Sequence, residues 1–257
     1  MGKKSLKLSI AVLMIVLITV SSAAGMITTP AEAVNAAGKQ RMFTMRLLRD
    51  YIMTGEKLHY KNPAVDLQKT IVSYELSQKE LVDYVTDPSL KNELKTIEKK
   101  WQEIKRMLTQ TPQKERMAVY AQNAMEFREM LNAFVDHLAE ASGGHSAHQV
   151  INFSGRLRAV SQTLASVYQL RAWGMPDAQK KMTIPMERFR ESLDYLHSAK
   201  ATAAPMQPYL KKLEKIYRFF AVMNTAETFT PTLVIKKTDT MLKLASELTA
   251  LYVGSDK

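Results

Sequence analysis

One stretch of sequence occurs twice in this chain and decides the predicted fold. The two copies are Val34-Asn35-Ala36-Ala37-Gly38-Lys39-Gln40-Arg41 and Ile151-Asn152-Phe153-Ser154-Gly155-Arg156-Leu157-Arg158. Each has the pattern Asn-x-x-Gly-basic-x-Arg, which we call the first and second box. Weaker similarities follow both boxes, such as Glu80 to Val85 with Glu191 to Leu196. An internal repeat of this length indicates two copies of one structural unit.

Around the boxes, apolar side chains recur at helical spacing between Pro, Gly and Asn residues. The clearest stripe is Leu90, Leu94, Ile97, Trp101, Ile104 and Leu108. We predict eight helices, with the first at about 33–54, the fifth at about 149–173 and the sixth at about 177–199. The predicted fold class is therefore all-α, with two tandem four-helix-bundle-like modules at 31–142 and 149–257, joined by a linker at 143–148.

The composition narrows the possible functions. The chain has no cysteine, which excludes disulfides, thiolate chemistry and cysteine-ligated zinc. Its formal net charge is +11, but the basic residues alternate with Asp and Glu as on a solvated helix surface. We expect no nucleic-acid partner, because the chain is predicted to be exported. No catalytic triad, carboxylate pair or phosphate-binding loop stands out, so we predict neither an enzyme nor a cofactor.

The amino terminus predicts export. Lys3, Lys4 and Lys7 precede an apolar run from Ile10 to Ile18 and then small residues up to Ala24. This order is typical of a signal peptide, which places the rest of the protein in the periplasm. The alternative is an uncleaved anchor in the inner membrane, since 8–27 is about long enough to span one. We therefore assign 1–24 to a signal peptide or membrane anchor.

The first box places Asn35, Gly38 and Arg41 on one helix face. Glycine inside a helix costs about 1 kcal/mol relative to alanine, so its recurrence suggests close approach of another backbone or of a ligand. Arg41 lies in an apolar stripe, where a buried guanidinium needs a carboxylate or a planar anion. A simpler interpretation is that the glycines permit tight packing and that the arginines reach water.

A family resemblance gives these residues a role. The run from Asn35 to Met42 resembles the Asn-x-Ala-Gly-x-x-Arg-Met box of helical sensor domains in NarX/NarQ-type nitrate sensors and PilJ-type chemoreceptors, and 151–164 resembles a second copy. In the nitrate-binding members, the anion lies between first helices that pair in a dimer. The resemblance implies a nitrate- or nitrite-like ligand and a possible homodimer. The candidate ligand-binding residues are Asn35, Gly38, Arg41, Met42, Met45, Asn152, Gly155 and Arg158.

Neither box completes the family pattern. Thr44 and Met45 replace polar positions in the first box, whereas Ala159 and Thr163 replace the later Met and Arg in the second. No output segment follows before Lys257, so we expect signalling through a separate membrane receptor or kinase. The alternative function is a ligand-free structural or adaptor bundle at the inner membrane.

A histidine group suggests one further kind of site. His137, His145 and His148 surround the central Gly-Gly pair, but no nearby acid completes a metal-ligand set. An ordinary polar linker is the simpler interpretation, and we predict no metal.

Overall fold

The computed structural model describes residues 26–58, 60–143, 146–175, 177–226 and 228–255. Within these ranges the chain is helical and contains no strand, which confirms the predicted all-α class. The predicted signal peptide or anchor at 1–24 lies outside the described residues. The helices are α1 (Pro30–Gly55), α2 (Pro63–Tyr84), α3 (Pro88–Leu108), α4 (Lys114–Ala141), α5 (Ser146–Ala172), α6 (Thr183–Ser198), α7 (Gln207–Thr225) and α8 (Pro231–Ser255).

The start of α1 is fixed by a capping box just before the first Asn-x-x-Gly box. The Thr29 hydroxyl accepts a hydrogen bond from the Glu32 backbone N–H at 3.2 Å, and the Glu32 carboxylate accepts from the Thr29 N–H at 3.3 Å. Pro30 occupies the first turn, where its missing N–H costs nothing. These local interactions place Gly38 and Arg41 in the regular interior of the helix.

Two predicted boundaries were wrong. The sixth helix begins at Thr183 instead of Asp177, because Asp177 has φ of 59°, a left-handed conformation that a helix cannot contain. A short 3-10 turn at Lys180–Met182 leads into α6. The fifth helix begins at Ser146, so the second half of the predicted linker 143–148 forms its first turn.

A parallel pair of helices, α1 and α5, lies at the centre of the fold. Three contacts advance in the same direction along both helices: Gly38 lies near Arg158, the Met45 carbonyl accepts from Ser166, and Gly55 touches Trp173. Helices α2 and α4 pack on α1, while α6 and α8 pack on α5. One continuous hydrophobic core contains residues of all eight helices. The division into modules 31–142 and 149–257 stays a prediction.

Among the described helices, none combines the length and apolarity needed to span a bilayer.

A substitution of Gly55 tests how closely the two central helices pack. A Cβ there would lie 2.7 Å from Trp173 Cη2 and 2.9 Å from Pro112 Cβ, inside normal contact distance. We expect Gly55→Ala to lower the free energy of unfolding by about 1–3 kcal/mol in urea denaturation. The control is Gly254→Ala, where nothing lies within 4 Å and a helical alanine should be neutral or stabilising. Equal effects of the two substitutions would contradict this packing.

Glu56, next to this contact, gives the protein a predicted pH dependence. Burial raises the pKa of its carboxyl to about 7, although Lys114 opposes the shift, and its Oε2 has no hydrogen-bond partner among the described residues. Because the folded state holds this proton more tightly than the unfolded state, stability is lost as pH rises from the ordinary carboxyl range through about 7.

The measurement is the melting temperature of Glu56→Gln against the native protein. The variant should become relatively more stable as pH rises from about 4 to about 8. Glu115→Gln, at an exposed position on α4, is the control for removal of one negative charge. A pH-independent difference between Glu56→Gln and the native protein would show that the carboxyl is not held protonated.

Candidate functional site

The two boxes meet face to face within one chain, where α1 packs on α5. A Cβ built on Gly38 would lie 3.2 Å from Arg158 Nη2 and 3.3 Å from Arg41 Nη2. A Cβ built on Gly155 would lie 3.0 Å from Arg158 Nη2 and 3.5 Å from Arg41 Nη2. Both guanidinium groups therefore lie in the space beside the two glycines, and the absence of side chains at Gly38 and Gly155 makes room for them.

The boxes also exchange hydrogen bonds. Arg41 Nη2 donates to the backbone carbonyl of Asn152 at 3.3 Å, and Arg158 Nη2 donates to the backbone carbonyl of Asn35 at 3.3 Å. Each arginine thus binds the asparagine position of the other box. This reciprocal arrangement gives the site an approximate twofold symmetry, as the sequence repeat would generate if both copies fold alike.

Arg41 has further polar partners. Its Nη1 donates to Asn152 Oδ1 at 2.9 Å and to Asn132 Oδ1 at 3.3 Å. Asn152 in turn donates from Nδ2 to Asp136 Oδ1 at 2.7 Å. The Asp136 carboxylate therefore does not contact Arg41 directly, because the Asn152 amide lies between them and bonds to both.

Arg158 is less well paired. The bond to the Asn35 carbonyl is the one hydrogen bond that its guanidinium makes within the described residues, whereas Arg41 makes three. The buried Nε atoms of both arginines have no partner there. The sequence favoured the first box and Arg41 as the centre of the site. The structure instead leaves more hydrogen-bond donors of Arg158 without a protein acceptor.

Two other buried arginines differ from Arg41 and Arg158, because each of them has a carboxylate partner. Arg49 forms an ion pair with Asp50 at 2.7 Å and another with Asp239 at 3.1 Å. Arg128 pairs with the Glu129 carboxylate and donates to Thr163 Oγ1 at 3.1 Å. In the part of the chain that the structure describes, neither box arginine forms such an ion pair. Burial of a guanidinium without a carboxylate costs several kcal/mol, roughly, so this arrangement needs a reason.

The electrostatics of the site favour a negative charge. Burial lowers the pKa of Arg41 to about 9, with Arg156 adding to the effect and Asp136 opposing it, and the charge on Arg158 lowers it further. Burial lowers the pKa of Arg158 to about 10. Both values lie above neutral pH, so both guanidiniums stay charged. Two like charges in a site of low polarity repel each other, and an anion between them would offset that repulsion.

The remaining predicted residues contribute differently. Asn35 is half-buried, and its Oδ1 has no hydrogen-bond partner. Met45 is fully buried in the core, and its backbone carbonyl accepts from Ser166 Oγ at 3.1 Å. Met42 is buried as well, but no described contact places it against either guanidinium.

Sequence reasoning missed Asn132 and Asp136. They lie on α4, far from either box in sequence, and their polar side chains resemble those of any solvated helix surface. Only the packing of α4 on α1 brings them to Arg41, so the sequence carries no local signal for them.

The histidine group does not assemble into a metal site among the described residues. His137 Nδ1 lies 3.0 Å from a Glu93 carboxylate oxygen, which raises its pKa by hydrogen bonding. His145 lies outside the described residues.

Comparison with known proteins identifies part of the chain. Residues 27–127 match the PilJ family, described as type IV pili methyl-accepting chemotaxis transducer N-term. No curated protein and no solved structure matches. The matched segment includes α1, α2, α3 and half of α4, and it contains the first box. Residues 27–127 are therefore similar to the PilJ family, which supports that part of the predicted resemblance, whereas the second box lies beyond the match.

A substitution of Asn152 tests how much its hydrogen bonds to Arg41 and Asp136 stabilise the fold. Asn152→Ala removes an acceptor of Arg41 and a donor to Asp136 at a position only 2% exposed. We expect the free energy of unfolding to fall by about 2–3 kcal/mol in urea denaturation, because both bonds involve charged groups. Asn132→Ala, at a half-buried position with a longer bond to Arg41 and a solvent-exposed bond to Glu129, should cost about 1 kcal/mol or less. The reverse order of these costs would contradict the role given to Asn152.

Proposed function

We propose that this chain, whose residues 27–127 are similar to the PilJ family, is an extracytoplasmic sensory protein that binds a small anion between its two boxes. Nitrate and nitrite are the expected ligands. The single observation that carries the proposal is the pair of buried guanidiniums, Arg41 and Arg158, which border the same two glycines and have no carboxylate partner among the described residues. A bound anion would supply the missing negative charge.

The geometry favours a small planar oxyanion. A guanidinium presents its N–H donors in one plane, which matches the oxygens of a planar anion. Both guanidiniums share the space beside Gly38 and Gly155, so a ligand there can contain only a few atoms. The free donors of Arg158 would hold one side of the ligand and Arg41 Nη2 would approach the other.

The site needs only one copy of the chain. Both boxes come from the same polypeptide, and the parallel α1–α5 pair takes the place of two first helices from separate subunits. The possible homodimer stays a prediction, but it is not required for ligand binding. In this proposal the exported protein passes its signal to a separate membrane receptor or kinase.

A second candidate function is a structural or adaptor bundle that binds no ligand. Its support is the set of hydrogen bonds that Arg41 already makes to Asn132 and Asn152, which partly satisfy the guanidinium without an anion. The poor pairing of Arg158 weighs against it.

The Arg158→Met substitution distinguishes the anion-binding function from the structural or adaptor function. Methionine fills a similar volume without a charge, and replacing an unpaired buried charge is expected to be neutral or to stabilise by about 1–4 kcal/mol. In buffer without added nitrate, the variant should therefore melt at or above the temperature of the native protein. It should also lose any stabilisation by nitrate, because a ligand-contacting donor is gone.

The measurement is thermal unfolding in sodium nitrate, sodium nitrite and, as a reference at equal ionic strength, sodium gluconate. At about 100 times the dissociation constant, a ligand stabilises by about 2.7 kcal/mol. For a chain of this size that raises the melting temperature by about 5–10 °C.

Arg128→Met is the matched control, since that buried arginine does have a carboxylate partner. It should lower stability and keep the nitrate response. If neither nitrate nor nitrite stabilises the native protein and Arg158→Met is destabilising, the adaptor function is correct.

A further inference from the structure

A polar pocket of about 500 Å³ lies on the surface between α4, α5 and α6. None of the candidate ligand-binding residues predicted from the sequence lines it. Its lining includes Glu129, Asn132, Ala133, Asp136, Arg156 and Arg188.

The inner wall of this pocket is also the outer wall of the candidate site. Asn132 lines the pocket and accepts a hydrogen bond from Arg41 Nη1. Asp136 lines it too and accepts from Asn152, whose Oδ1 accepts from Arg41. A single layer of side chains therefore separates the fully buried Arg41 guanidinium from solvent in the pocket.

One component of this layer is weakly held. Asn132 is half-buried and binds Arg41 over 3.3 Å, close to the upper limit for a hydrogen bond, while its own amide donates to Glu129. Rotation of this side chain toward solvent would break the long bond to Arg41 and the solvent-exposed bond of 2.9 Å to Glu129. The Asp136–Asn152 bond of 2.7 Å, by contrast, holds the rest of the wall in place.

The charges of the pocket limit which anions can pass, because its lining has two arginines and four carboxylates. Arg156 occupies the basic position of the second box, stacks over the Phe153 ring at 4.5 Å and lies 3.9 Å from Glu191. Arg188 donates to Glu129 at 2.8 Å. These two guanidiniums attract an anion locally, but the carboxylates outnumber them and repel every anion, a dianion more strongly than a monoanion. An anion of charge −2 meets twice the repulsion from Asp136 that a monoanion meets.

We infer that this pocket is the entrance to the anion site, that Asn132 is its movable gate, and that Asp136 favours monoanions over dianions. The inference rests on the proposed function, because it concerns access to the same two arginines. It assigns a role to the basic position of the second box and to two α4 residues that contact Arg41 directly or through Asn152.

The test is to obstruct the pocket without touching the wall. Ala133 is exposed on α4 and lines the pocket, so Ala133→Trp would fill it. Ala118→Trp, at an exposed position elsewhere on the same helix, is the matched control. The probe is sodium nitrate. Its association and dissociation rates are measured from NMR exchange of the Arg41 and Arg158 Nε–H signals, and its dissociation constant by calorimetry.

An obstructed entrance slows the association and the dissociation of nitrate by the same factor. For Ala133→Trp we expect both rates to fall by about tenfold with the dissociation constant unchanged within about twofold. Ala118→Trp should leave all three values as in the native protein. Asp136→Asn should do the opposite and raise the association rate by about threefold or more at low salt, because it removes a repulsive charge. The Asp136→Asn substitution should also lower the ratio of the nitrate affinity to the sulfate affinity.

The possible failures are distinguishable. If the native protein binds nitrate and Ala133→Trp leaves both rates unchanged, the entrance lies elsewhere and the binding site stands. If Ala133→Trp binds nitrate more weakly with an unchanged association rate, the pocket is part of the site and not its entrance. If the native protein binds no nitrate, the proposed function and this inference both fail.

Discussion

The close parallel packing of α1 on α5 is the constraint on which the rest of the structure depends. At the level of the boxes it requires Gly38 and Gly155, because a guanidinium group occupies the space beside each glycine. Further along, the same packing brings Ser166 to the Met45 carbonyl and Trp173 to Gly55. Helices α2 and α4 then cover α1, and α6 and α8 cover α5. A shift of one central helix would therefore disturb both halves of the core.

The same packing creates an electrostatic cost at the centre of the protein. Arg49 and Arg128 show that this fold can bury an arginine with a carboxylate beside it. Arg41 receives amide oxygens instead, and Arg158 receives little more than one backbone carbonyl. Local departures from good pairing are concentrated at functional sites, where unfavourable interactions in the free protein are relieved by a ligand. This contrast within one molecule is the strongest physical argument for a binding role.

The second box departs from the first, and its surroundings account for part of that departure. Thr163 stands where the first box has Arg46, and its hydroxyl accepts a hydrogen bond from Arg128 of α4. A guanidinium is thus present near this position, although it comes from another helix. Such an exchange would not be visible in a comparison of the two boxes alone, because Arg128 lies outside both.

The sequence by itself determined the all-α class, the approximate extent of most helices and the register of Asn, Gly and Arg on each box helix. Helical spacing and capping depend on residues three or four apart, so a local pattern can reveal them. The tertiary structure decided that the boxes meet within one chain, that Asn132 and Asp136 complete the surroundings of Arg41, and that Arg158 is the less well-paired arginine. Arg41 and Asn152 are 111 residues apart, and no local periodicity encodes which helices pack together over such a distance.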